Sequence, residues 1–422
     1  MPKKWLIIFF LVFSSLYLIR LSRIPETNLP EETPVKIIGR VSQPPFRKGT
    51  NYIINIGPIT LFTPNLHGLS YGQRIEAIGT FKKRVINIFQ TQYYSYYPSI
   101  VPIKENGHKI GSKARIIRAL TQQRGRFESL IERVLNEPQS SLLNGILLGA
   151  KKRMPSDFEE TLRRTGTLHV VVASGQNVTM LANFLMGVLC WVISRRKAVV
   201  FVLLSIVGYI LMVGAEAPVV RAGIMASFVF LAQAFGREAG ETWALLIAAT
   251  LMLLISPLIL FDLGFQLSFT AMAGMIWFYP LFTNSDWWQK KLFFGRLNWF
   301  KEALATTLSA QIMVFPVILI NFGQLSLLSP FVNGLVIWVV PLVMILGLPI
   351  IILGLFSFFL SQVAAWLVWP LLTYFVQVIS LSGQIPFTFL ETGRLSIWWG
   401  AGYYLVVGYF LWRRKKGIGH RA

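Results

Sequence analysis

The chain has 422 residues, of which 54% are hydrophobic and only 14% charged, against about a quarter charged in soluble domains; its mean hydropathy is +0.57. This composition excludes an ordinary soluble globular protein and points to a bilayer as the solvent. The 40 Lys and Arg outnumber the 18 Asp and Glu, giving a formal net charge of +22, which fits either basic cytoplasmic loops beside membrane spans or a polyanionic ligand such as nucleic acid.

Trp5 to Ile19 is an apolar run preceded by Lys3 and Lys4. Tyr17, Leu18, Ile19 and Arg20 offer no small-residue cleavage site, so residues 1–24 read as an uncleaved anchor with a cytoplasmic N-terminus. Over residues 35–100 the pattern changes to short β-type runs, Val35–Val41, Tyr52–Ile56, Ile59–Phe62, Arg74–Phe81 and Val85–Gln90, separated by Gly and Pro. This spacing predicts a small extracytoplasmic β-barrel of the OB type. Arg47, Lys48, Lys82, Lys83 and Arg84, together with Phe46, Tyr93, Tyr94, Tyr96 and Tyr97, form a candidate DNA-binding face of the basic, aromatic kind that holds single strands. A plain structural barrel with a tyrosine-rich linker accounts for the same residues.

Residues 113–166 read as amphipathic and short helices at the membrane surface. Ile116, Ile117, Leu120, Phe127, Ile131, Val134 and Leu135 recur at helical spacing among Arg115, Arg118, Arg124, Arg126 and Arg133, a pattern suited to an anionic lipid surface or, by the same arginines, to DNA. Pro138 breaks this helix, and Leu142–Gly149 is too short to span, which predicts a helix packed among others. Ser156-Asp157-Phe158-Glu159 reads as a capping box opening a short helix that stops at Gly166.

Residues 167–412 carry the remaining spans, near Leu168–Ile193, Ala198–Val213, Val219–Phe235, Trp243–Ile255, Phe261–Phe282, Leu304–Asn321, Leu327–Leu355, Val363–Ile379 and Ile397–Leu411. With the anchor they make ten. Residues 413–422 form a basic tail on the side of Lys3 and Lys4, as the positive-inside rule asks. Leu327–Leu355 contains Pro330, Pro341 and Pro349, which leaves one broken helix or two passes open. Trp287, Trp288, Trp299, Trp398 and Trp399 fall where an interfacial belt belongs. The predicted fold is therefore a polytopic all-α membrane protein of about ten transmembrane helices with an OB-like β-barrel near its N-terminus.

Polar groups inside such spans are costly and mark function. His169, Ser174, Gly175, Gln176 and Asn177 open one span, Glu216 and Arg221 flank Pro218, and Asp262 and Gln266 sit in an apolar run; Arg221 is the expected partner of Asp262. These nine are the candidate pathway residues. His169 and Ser174 lack a third orienting group, and there is no Gly-x-Ser-x-Gly, HExxH or phosphate-loop motif, so no catalytic residue is predicted. Cys190 is the single cysteine, which leaves no thiolate cluster; no metal or cofactor is expected.

Leu147-Leu148-Gly149 and Leu162-Arg163-Arg164-Thr165-Gly166-Thr167-Leu168-His169-Val170-Val171-Val172-Ala173-Ser174-Gly175-Gln176-Asn177-Val178 resemble the signature stretch of ComEC-type competence proteins. Ala215 to Ala222 and Phe261 to Phe269 are similar to later blocks of that family, in the same order. The resemblance implies a channel for one strand of incoming DNA across the bacterial cytoplasmic membrane in natural transformation, served by components that deliver DNA outside and pull it inside. Asn177 stands where many relatives carry His, which puts any proton or metal role there in doubt. Many relatives also continue into a metallo-β-lactamase-like domain, whose HxHxD motif this sequence lacks, so no nuclease activity is expected of it. A small-solute or ion transporter is the alternative. Oligomeric state, including a homo-oligomer, is left open.

Overall fold

The computed structural model describes residues 3–23, 29–30, 33–43, 45–48, 50–65, 68–87, 90–103, 112–150, 154–171, 174–238, 240–284, 298–385 and 389–419. Helix α1 (Lys3–Ser22) is followed by eight strands: β1 (Pro34–Arg40), β2 (Phe46–Lys48), β3 (Asn51–Ile56), β4 (Ile59–Thr63), β5 (Arg74–Thr80), β6 (Lys82–Asn87), β7 (Gln90–Tyr96) and β8 (Ser99–Pro102). They pair as two sheets, β1-β5-β8 and β2-β3-β4-β7-β6. Ile54, Leu61 and Tyr93 from the larger sheet and Ile75, Ala77 and Ile100 from the smaller share one core. Among the described residues no ladder joins the two sheets into a closed barrel. The tyrosine-rich stretch is no linker: β7 lies parallel to β4, Tyr93 opposite Ile59 and Tyr96 opposite Phe62.

The helical part comprises α2 (Ser112–Val134), α3 (Gln139–Leu148), α4 (Ser156–Arg164), α5 (Leu168–Val171), α6 (Gly175–Val192), α7 (Arg195–Val213), α8 (Ala217–Ala234), α9 (Glu241–Ile255), α10 (Leu263–Thr283), α11 (Asn298–Asn321), α12 (Ser329–Val336), α13 (Val339–Gly354), α14 (Phe358–Gly383) and α15 (Ile397–Gly419). A two-stranded antiparallel sheet of β9 (Gln324–Ser326) and β10 (Phe389–Glu391) ties the α11–α12 connection to the segment before α15. Every predicted span falls on helix. Five stretches are long and apolar enough to cross a bilayer: Leu168–Val192, α7, α8, α11 and α14; α12 and α13, bent by 42° at their junction, make a sixth. The break falls at Ile337 and Trp338, between Pro330 and Pro341, in the stretch left open as one broken helix or two passes. Helix α9, at 15 residues, reaches only about 22 Å at 1.5 Å per residue, short of a hydrocarbon core of about 30 Å.

These helices keep large apolar side chains on the outside, Phe201, Leu204, Phe359, Trp366 and Leu405 among them, which suits a surface wetted by lipid rather than water. Two large clusters, with smaller ones around Phe300 and Ala248, fill the interior. One joins α2 to α5 with α12, α13 and α14 through Leu142, Ile146, Val171, Val336, Val343, Ala365 and Phe375. The other packs α6, α7 and α8 through Val178, Ala182, Val202, Ile206, Val219 and Phe230. As its apolar pattern required, α3 is buried throughout, from Ser140 to Leu148.

Helix α2 departs from the expectation of a free amphipathic surface helix. Arg118 donates to the carbonyl of Tyr71 in the β region (2.6 Å), and Arg124 bonds Glu128 (2.8 Å) and the carbonyls of Met212 (3.3 Å) and Val213 (2.9 Å). Those carbonyls are orphans at the C-terminal end of α7, where a cation is favourable. Arg115, Arg126 and Arg133 remain exposed. The capping box of α4 is also not formed: Pro155 is the N-cap residue and makes no side-chain cap bond, while Ser156 Oγ turns to Asp157. Helix α1 docks on the end of α9, Tyr17 donating to the Pro257 carbonyl (3.1 Å) and Arg20 to that of Leu254.

Candidate functional site

Three of the quoted sequence blocks are helix beginnings, and the fold brings those beginnings together. Ser174 is the N-cap residue of α6, Glu216 of α8 and Asp262 of α10. Gly175 lies so close to α8 that a Cβ on it would sit 2.7 Å from Arg221 Nη2, 2.9 Å from Ala222 Cβ and 3.3 Å from the Pro218 carbonyl. On the other side of α8, a Cβ on Gly264 would lie 3.7 Å from Pro218 Cδ, 4.0 Å from Ala217 Cβ and 3.0 Å from Asp262 Oδ1. The first turns of α6, α8 and α10 therefore touch, and two glycines let them. Each helix start carries roughly half a positive charge from its unpaired N–H groups.

The charges in this cluster are not neutralised in pairs. Arg221 is only 9% exposed, and its Nε has no hydrogen-bond partner among the described residues. Its one recorded bond runs from Nη1 to the thioether of Met225 at 3.7 Å, a weak acceptor. The expected Arg221–Asp262 ion pair is not formed. Asp262 is exposed and instead accepts from the Phe265 N–H at 2.9 Å, capping α10; an aspartate in that geometry satisfies one orphan donor of the helix. Gln266 reaches back to the Leu260 carbonyl (3.0 Å) and closes the turn before α10. Glu216 is exposed at the start of α8, delivered there by a left-handed turn at Gly214 (φ 108°) and Ala215 (φ 55°).

Asn177 and His169 have different surroundings. Asn177 is fully buried, donates to the Ile146 carbonyl (2.8 Å) and accepts from Ser174 Oγ (3.1 Å), so it locks α6 to α3. His169 is exposed on α5, and no hydrogen bond joins it to Ser174 among the described residues. Gln176 is exposed at the mouth of the cluster. The Thr165-Gly166-Thr167 turn is structural: the two hydroxyls bond each other at 2.9 Å, and Gly166, at φ 71°, abuts Ser329 where a Cβ would come within 2.7 Å. Sequence reading missed Gly264, Pro218 and Arg124; Arg124 in α2 signals its role only as a cation with an acidic residue four positions on.

On the β region, Lys82 and Lys83 are exposed and lie opposite Tyr94 and Tyr93 in the ladder. The side chains of Arg47, Lys48 and Arg84, and all of Trp287 and Trp288, lie outside the described residues. Tyr93 leaves the expected aromatic face: it is buried, its hydroxyl accepting from the Leu29 N–H at 3.3 Å. Phe62 stacks on Tyr96 with centroids 4.8 Å apart, and Tyr94 meets Tyr96 edge to face at 5.7 Å, beside an exposed Tyr97. No group of three or more metal-ligating side chains occurs among the described residues.

The Competence protein family matches residues 146–417 of the chain, a stretch that contains all three helix starts. ComE operon protein 3 of Bacillus subtilis (strain 168) is 26% identical over 211 residues, covering 50% of this chain and 26% of that protein. Uncharacterized protein YcaI of Escherichia coli (strain K12) is 22% identical over 257 residues, covering 57% and 32% respectively. The chain spans about a quarter to a third of the length of these relatives. No solved structure matches it. With well over half of its length matched, the chain belongs to the Competence protein family.

Proposed function

We propose that the chain forms a path by which single-stranded DNA crosses a bacterial cytoplasmic membrane during natural transformation, conducting its substrate rather than turning it over. The observation that carries this reading is the convergence of Ser174–Asn177, Ala215–Arg221 and Asp262–Gln266 at one polar, uncompensated cluster within the part of the chain that matches the competence family. In a bilayer such groups persist only where they face protein, water or a substrate. In this reading α1, α10, α15 and the short α9 extended by the turn that follows it add to the six apolar spans to make ten crossings. The β region stands outside as an OB-type module, with the exposed Lys82 and Lys83 near Tyr94 and Tyr96 as contacts for the incoming strand and Arg47, Lys48 and Arg84 as further candidates. The expected partners are single-stranded DNA, membrane lipids, and the components that deliver DNA outside and pull it inside.

The test is import of genetically marked DNA in cells carrying the native gene, a deletion, or Asp262→Asn or His169→Ala at normal protein levels. Surface binding that survives the deletion while cytoplasmic DNA disappears supports the path. Unchanged import in the deletion strain refutes it and favours a small-solute transporter.

A further inference from the structure

We propose that the meeting point of α6, α8 and α10 holds a backbone phosphate of the passing strand through the Arg221 guanidinium and the free N–H groups at the start of α6. The proposal rests on the DNA-path reading and adds to it the group that is gripped. Arg221 is nine-tenths buried, and among the described residues its Nε is unbonded and no carboxylate pairs with it. A buried cation without a counter-charge is strongly disfavoured. Two carboxylates stand at the same junction, yet the exposed Glu216 side chain has no partner among the described residues and Asp262 caps its own helix. The guanidinium lies instead against Gly175, with Nη2 2.7 Å from where a Cβ would be, so it points at the N-terminus of α6. The Gly175 and Gln176 N–H groups have no intrahelical acceptor there. A planar fork of donors beside a helix N-terminus matches a phosphate oxygen pair, and such a contact is blind to base identity, as a strand of arbitrary sequence requires.

Glu216 and Asp262 supply the opposing effect. Conduction needs a site that binds and then releases, and two exposed carboxylates beside the phosphate weaken the hold. Neutralising Glu216 therefore tightens binding, whereas neutralising Arg221 loosens it.

The test uses the full chain in neutral phosphatidylcholine nanodiscs, with fluorescent oligodeoxythymidylate titrated at several salt concentrations. Arg221→Met is expected to weaken binding by about tenfold or more, as for a lost charged hydrogen bond, and to reduce the salt slope by about one. Arg221→Lys retains part of the affinity and carries the test if Arg221→Met does not fold, and Glu216→Gln binds more tightly than wild type. An oligonucleotide with uncharged methylphosphonate linkages binds wild type and Arg221→Met equally. Inorganic phosphate competes only where Arg221 is present. Wild-type affinity and salt slope in Arg221→Met and Arg221→Lys overturn the site, even if deletion abolishes DNA import. Conversely, a lost salt-slope increment in a chain whose deletion leaves import intact keeps the phosphate site and removes the DNA path.

Discussion

Gly175→Ala tests whether the contact of α6 with α8 is as tight as the geometry states. The added methyl would meet Ala222 Cβ at 2.9 Å, half an ångström inside the 3.4–4 Å range of ordinary contact, and Arg221 Nη2 at 2.7 Å. The guanidinium is the end of a flexible side chain, but Ala222 Cβ moves only with the helix. Helices α6 and α8 must therefore separate, an overpacking that costs about 1–3 kcal/mol. The control is Gly187→Ala in the same helix, where nothing lies within 4 Å of the new methyl; there the better helix former is worth up to about 1 kcal/mol of stabilisation. At roughly 2–4 °C per kcal/mol for a domain of this order, Gly175→Ala melts lower by roughly 2–12 °C and Gly187→Ala melts at or above wild type. Thermal aggregation of the purified protein in detergent, followed by size exclusion, reads both. Equal melting of the two variants refutes the close approach, and with it the placement of Arg221 against α6.

Asp262→Ala removes the bond to the Phe265 N–H and lowers stability by about 1 kcal/mol, whereas Asp262→Asn keeps the cap and melts near wild type; the pair separates the capping role of the side chain from its charge in the import assay. Arg124→Met releases the Met212 and Val213 carbonyls and removes the Arg124 ion pair from the nearly buried Glu128 carboxylate, costing roughly 1.5–3 kcal/mol, seen as faster hydrogen exchange at the end of α7. The Arg163 hydrogen bond, with help from Arg164, holds the Glu160 carboxyl below the usual carboxylate range. Its contribution to stability is present at neutral pH and lost as the pH falls through that depressed value. The group is exposed, so the effect is small and screened by salt: wild type loses slightly more melting temperature between pH 7 and 3 than Glu160→Gln, and the difference vanishes in high salt.

The membrane part was legible because hydrophobic runs and flanking charges state it directly. Each predicted span includes a helix, six of them long and apolar enough to cross a bilayer, and the 42° bend falls inside the proline-containing Leu327–Leu355 stretch. The β region was legible as strands but not as sheets. Periodicity identifies Asn51–Ile56 and Ile59–Thr63, yet nothing local indicates that Gln90–Tyr96 pairs parallel to β4 across thirty residues. The candidate site was half legible. Polar residues in apolar surroundings named Ser174, Arg221 and Asp262, but the pairing of Arg221 with Asp262 failed because a local acceptor role, capping α10, takes the aspartate first. Asn177, a candidate pathway residue, bonds the Ile146 carbonyl, a contact thirty-one positions away that no spacing rule reveals.

The three family blocks are joined less by membrane crossing than by the positions where helices start. An apolar span tolerates many sequences of similar hydrophobicity, because lipid and neighbouring helices accept any well-packed aliphatic surface. A helix start admits few: it needs a small residue where another helix approaches, as at Gly175 and Gly264, and a polar side chain for the exposed N–H groups, as at Asp262. Its placement also depends on the preceding turn. Arg124 on α2 grips the end of α7, the left-handed Gly214-Ala215 turn follows at once, and only then does the chain set Glu216 and Arg221 beside α6. The surface helix α2 thus positions the charge at the centre of the cluster without touching it. A change at Arg124 is accordingly expected to alter the affinity attributed to Arg221, while exposed Arg126 and Arg133 on the same helix, which lack that contact, leave it unchanged when replaced by Gln.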